Sequence, residues 1–131
     1  MEFKRARLFD GVTPESGPYF DESRPRIADQ AERDRLLEFL SHGGAAIERA
    51  AGLAPDQLDA SKGKVVPIVT MTDGVWIWTL AHAYYLEHYG FAPDSEFYEY
   101  IKSRDYRADG PEEEIQSAAL EFLRRSRTAR R

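Results

Sequence analysis

At 131 residues, 42% hydrophobic and 31% charged, the chain is one domain long and has enough apolar content to bury a core, which excludes a disordered protein. It has no cysteine, no apolar run of the roughly 18 residues a membrane span needs, and no apolar signal stretch in Met1 to Arg7; disulfides, thiolate chemistry and a membrane role are excluded, and the cytoplasm is the expected location. The net charge of −5 combines five arginines (124, 125, 127, 130 and 131) with a body of 13 bases against 23 acids over residues 1–123, a balance that disfavours nucleic acid and favours a basic protein partner.

A short strand is expected around Ala6 to Phe9. The region 10–28, punctuated by Gly11, Pro14, Gly17, Pro18 and Pro25, reads as a surface loop. Asp29 followed by Glu32 has the spacing of a capping box, and Leu36, Leu37, Phe39 and Leu40 then share one arc of a helix over about 30–41 that ends at Gly43-Gly44. Ala45 to Ala51 reads as a short helical piece stopped by Gly52, and residues 55–63 read as turns.

Val65 to Thr72 and Val75 to Thr79 are β-rich runs flanking Asp73-Gly74, the dipeptide suited to a type I′ turn, so a hairpin spans 65–79. A two-residue turn sets Met71 opposite Trp76 and Val69 opposite Trp78, which places both tryptophans on one face. Leu80 to Tyr89 is apolar around most of its circumference, the mark of a central helix, and ends at Gly90 with Pro93 beyond. Asp94 or Ser95 caps a third helix carrying Phe97, Tyr98 and Ile101. Gly110-Pro111 opens a fourth, with Glu112, Glu113 and Glu114 at its positive end and Ile115, Ala118, Ala119, Phe122 and Leu123 inside. The whole is an α+β domain spanning 1–131, a small antiparallel sheet packed against three to four helices. The arginine-rich tail, about 126–131, is expected to be disordered.

Nine aromatics lie between Trp76 and Tyr100. Such density can build a ligand platform or interface anchors, although core packing is the plainer account. His82 and His88, six residues apart on one helix, point to opposite sides and cannot chelate one metal, and no third ligand is in sight. No metal and no cofactor is expected. Gly43-Gly44 lacks the lysine and hydroxyl of a phosphate loop, and no nucleophile motif is present, so no catalytic residue is assigned.

At Thr72-Asp73-Gly74-Val75-Trp76-Ile77-Trp78, then Ala83-Tyr84-Tyr85-Leu86-Glu87-His88-Tyr89-Gly90 and Pro93, the chain resembles a group of small uncharacterised bacterial proteins. They share a DG-x-W-x-W hairpin followed by a YY-containing helix. The resemblance spans about residues 64–104, with Thr79 standing where the pattern has proline. Some of that group look like immunity proteins, small acidic binders that neutralise a polymorphic toxin. Together with the acidic body, the resemblance implies a non-enzymatic protein-binding module, an immunity-type inhibitor of a basic toxin. Its candidate partner-binding residues are Asp73, Trp76, Glu87, Asp94, Glu96, Tyr98 and Glu99. The alternative is a small-ligand or enzymatic pocket built from Trp78, His82, Tyr85 and His88, and a pocket holding a histidine and a carboxylate would favour it. Nucleic-acid contact through the arginine tail is third.

Overall fold

The β-branched and aromatic run at the middle of the chain forms the expected hairpin, strands β5 (Lys64–Thr72) and β6 (Trp76–Thr79) of an α+β fold. The protein is described by a computed structural model covering residues 2–129. Here the pairing differs from the expected register by two residues: Thr72 faces Ile77, Met71 faces Trp78 and Thr70 faces Thr79. A type I′ turn needs positive φ at both central residues. Gly74 has it, at φ 97°, but Asp73 does not. Side chains close the wider connection instead. Asp73 Oδ1 accepts the N–H groups of Val75 and Trp76 at 3.0 and 2.9 Å, while Thr72 Oγ1 accepts the Gly74 N–H and donates to the Trp76 carbonyl. Because side chains alternate with period two, a two-residue slip leaves each on its original face. Both tryptophans therefore still lie with Val69 and Met71, all buried in one core.

Gly74 gives the loop a direct test. A Cβ there would make only ordinary contacts with Ile115 and Pro111, so the cost of Gly74→Val comes from its backbone angle. Denaturant unfolding should show a loss of about 1–2 kcal/mol. An unchanged midpoint would refute the left-handed conformation.

The segment expected as a second helix, Ala45 to Ala51, is the start of strand β4 (Ala45–Pro55), paired antiparallel with β5. Alanine favours helix, but seven residues are too few to nucleate one, and the open edge of β5 supplies a full ladder. Gly44 matters here for space. An added Cβ would overlap the Thr72 carbonyl and the Trp78 ring, so glycine lets the strand approach closely. The ladder is interrupted by register shifts at Ala46/Glu48, Arg49/Leu53 and Ala54/Pro55.

At the other edge, strand β1 (Lys4–Arg5) pairs parallel with β6, slightly before the expected strand at residues 6–9. The sheet order β1-β6-β5-β4 is thus mixed rather than purely antiparallel. The segment read as loop contains a small antiparallel ribbon, β2 (Gly11–Thr13) with β3 (Gly17–Tyr19). The Arg24 guanidinium fastens this segment to the body by donating to the carbonyls of Leu8 and Ala92 at 2.6 and 3.0 Å.

Four α-helices cover the sheet among the described residues: α1 (Gln30–His42), α2 (Leu80–Tyr89), α3 (Ser95–Ser103) and α4 (Glu113–Ala129). On the tryptophan face, Leu36, Phe39 and Leu40 of α1, Leu86 of α2, and Phe97 and Ile101 of α3 complete the main core. Trp78 sits 5.3 and 5.4 Å from the Phe39 and Phe97 rings and donates its indole N–H to the Leu40 carbonyl. On the opposite face, Ala119 and Leu123 of α4 pack on Ile77 and Phe3.

Asp29 caps α1 as expected, accepting the Ala31 N–H. Glu32, however, does not close a capping box: its Oε2 accepts the hydroxyls of Tyr98 and Tyr106, each at 2.6 Å. Gly90, left-handed at φ 79°, ends α2. The last helix continues past residue 126, where the tail was expected to begin, and Arg127 forms a bidentate pair with Glu48 of β4 at 2.6 and 3.0 Å. Arg130 and Arg131 lie outside the described residues. No described helix is long and apolar enough to cross a membrane.

Candidate functional site

The C-terminal end of α1, the first half of β5 and the outer face of α2 enclose an open groove of about 670 Å³. Its floor is apolar, from Val65, Pro67, Leu80 and Ala83. Its polar lining comes from Ser41 and His42 at the end of α1, from Tyr84, Glu87 and His88 on α2, and from Lys62 at the end nearest Asp56. This volume falls in the range of small-ligand sites, and an apolar floor with a few convergent polar groups is their usual composition.

The end near Lys62 is built on a buried carboxylate. Asp56 follows β4 at the sheet's end, and its side chain is wholly shielded from solvent. Oδ1 accepts the N–H groups of Leu58 and Asp59 at 2.7 and 3.0 Å, closing the turn after Pro55. Oδ2 accepts the Tyr84 and Tyr89 hydroxyls at 2.6 and 2.7 Å. Lys62, the last residue of a turn of 3-10 helix (Ala60–Lys62) capped by Asp59, donates to the Tyr89 hydroxyl at 3.2 Å and lies 4.0 Å from Asp56. Burial alone would raise the Asp56 carboxyl, but these four hydrogen bonds outweigh it and hold its pKa below the ordinary value. Burial and the bond to Asp56 push the Tyr84 hydroxyl well above the usual phenol range. The bond to Tyr89 raises Lys62. Near neutral pH this end of the groove therefore presents a protonated phenol held by a carboxylate with no lone pair to spare, and an ammonium held through the Tyr89 hydroxyl.

Along the α2 wall the Tyr84 and His88 rings, one helical turn apart, lie 4.4 Å from each other. His88 Nε2 is 3.8 Å from the Glu87 carboxylate. His42, at the end of α1, lines the same groove. Among the described residues no group of three or more acids and histidines is arranged to hold a metal ion.

No protein-family model matches the chain, and no curated protein or solved structure matches it either. The site is therefore read from its own geometry.

The pocket expected from Trp78, His82, Tyr85 and His88 is not formed by that set. Trp78 is core. Tyr85 is buried too, its hydroxyl accepting the Gln57 N–H at 3.0 Å. His82 is buried at the start of α2, where its Nδ1 accepts the Thr79 N–H at 3.2 Å. Only His88 reaches the groove. The physical reason is that α2 is central: its core side carries His82 and Tyr85 and its groove side carries His88, while Trp78 lies on β6 within the core.

The partner-binding candidates divide likewise. Trp76 is 3% exposed, packed against Phe97 and Tyr100, and cannot anchor a partner. Asp73 spends both oxygens inside the fold, with Oδ2 accepting the Tyr100 hydroxyl at 2.6 Å. Asp94 caps α3 and accepts the Arg7 N–H. Tyr98, half-buried, is tied to Glu32. Glu87, Glu96 and Glu99 are exposed, the last two beside Lys4 and Lys102 at 2.9 and 2.8 Å. Asp56, Lys62, Tyr84 and His42 were not among the expected site residues. The one local signal for them is Asp56-x-x-Asp59 after Pro55, a turn-forming pattern that says nothing about the two tyrosines it binds.

Proposed function

We propose that the protein is a ligand-binding module whose site is the groove between α1, β5 and α2. One observation carries this reading: a polar end ordered by the buried Asp56 opens onto an apolar floor flanked by two histidines and Glu87. The phenols hold their protons and the carboxylate behind them is saturated, which suits groups that recognise and orient rather than groups that exchange protons.

A fragment screen followed by two-dimensional NMR is the test. Bound fragments should shift the side-chain signals of His42, Tyr84 and His88 together, and Tyr84→Ala should weaken them about tenfold or more, since both the ring wall and the Lys62 end are disturbed. Hits scattered over other surfaces would overturn the reading.

The acidic body and the exposed Glu96 and Glu99 on α3 favour a second reading, an immunity-type inhibitor of a basic toxin. Capture of a basic protein whose association slows with salt and with the Glu96→Lys, Glu99→Lys double substitution would favour it over the groove.

A further inference from the structure

The head group that the groove accepts is set by Lys62. An ammonium carries three N–H donors. One goes to the Tyr89 hydroxyl at 3.2 Å, and Asp56, at 4.0 Å with all its lone-pair directions occupied, takes none. Two donors thus remain at the mouth of an apolar floor, and a ligand seated there has to meet them with an acceptor. A charged acceptor gains most, because hydrogen bonds between ions are the stronger kind.

The surrounding charge limits how negative that head can be. Asp56 lies directly behind Lys62, and Glu87 stands on the rim with 62% of its side chain exposed. Asp59, which caps the turn carrying Lys62, adds a third carboxylate, and repulsion from these acids grows with the charge of the head, so a dianion meets the two Lys62 donors at greater cost than a monoanion. A single negative charge can be matched locally. Behind the head, Val65, Leu80 and Ala83 offer an apolar track for the rest of the molecule.

We propose that the groove binds a small organic monocarboxylate with an apolar body, its carboxylate on Lys62 and its chain along the floor. The proposal rests on the groove being the binding site, and a series of chain-matched probes separates the two claims. Octanoate, octanol, octylammonium and octyl phosphate are titrated into the full chain while the His42, Tyr84 and His88 signals are followed. Octanoate should bind about tenfold more tightly than octanol, the worth of one charge-assisted hydrogen bond, and octylammonium should bind least. Lys62→Gln should bring octanoate down to the level of octanol without changing octanol, and Lys62→Arg should keep most of the preference. Thermal unfolding of both variants checks that the fold persists. Equal affinity for octanoate and octanol, or a preference for octylammonium or octyl phosphate, would overturn the carboxylate while leaving the groove as the site. If no probe moves these signals, both claims fall.

Discussion

Lowering the pH from 7 to 4 should cost about 3 kcal/mol of folding stability through one side chain, His82. The ring is buried, Nδ1 lies 3.1–3.3 Å from the backbone and hydroxyl of Thr79, and Nε2 has no hydrogen-bond partner. A charged imidazole needs an acceptor for both N–H groups. Burial therefore lowers its pKa from 6.5 to about 4; Arg24 adds to the effect, while the Thr79 and Arg7 backbone and Asp94 oppose it in part. The Arg7 backbone is near enough to favour the charged ring but makes no hydrogen bond to Nε2. In the unfolded chain the ring takes a proton near pH 6.5, whereas in the folded protein it stays neutral until about 4. Stability from this group is therefore complete above 6.5 and drains away as the pH falls between those values. The measurement is the free energy of unfolding at pH 7 and at 4.5 for wild type and His82→Gln. The wild type should lose about 2 kcal/mol more than the variant. Parallel pH profiles would show that His82 does not carry the acid sensitivity.

Asp56→Ala should be destabilising by about 3 kcal/mol and should also disorder the polar end of the groove. The substitution removes the acceptor for four donors: two backbone N–H groups and the hydroxyls of Tyr84 and Tyr89. A donor left without a partner in a buried place costs about 1–3 kcal/mol. The tyrosines are only partly buried and can turn towards water, but the Leu58 and Asp59 N–H groups are fixed by the turn they close, so the total is less than four full penalties. Tyr84→Phe, which removes one donor and leaves the carboxylate three, should cost about 1 kcal/mol. Denaturant unfolding of the three proteins gives the comparison. If Asp56→Ala costs no more than Tyr84→Phe, Asp56 is not the residue that organises this end of the groove.

What was legible in the sequence follows the range of the physics involved. Helix α1 with its Asp29 cap, helix α2 with Gly90 and helix α3 with Asp94 are written in residues three or four apart, so the limits of α1 and α2 and the start of α3 are readable within a residue or two. The shared face of the two tryptophans survived a wrong register because period-two alternation is indifferent to a slip of two. The turn type was misread because Asp73 had a second option, binding the backbone through its side chain, which the dipeptide alone does not reveal.

The sequence by itself determined an α+β class, the sheet's apolar face and the helices that cover it, since burial patterns and caps are local. Only the tertiary structure decided that 45–55 is a strand, because its ladder partner lies elsewhere in the chain. The same holds for the site. His42, Asp56, Lys62 and Tyr84 come from four separate elements or turns, and the one local pattern among them, Asp56-x-x-Asp59, marks a turn rather than a site. Hydrogen bonds such as Tyr84 to Asp56 are short-range forces between residues far apart in the chain, so they exist only once the packing of α2 against β5 has brought those residues together.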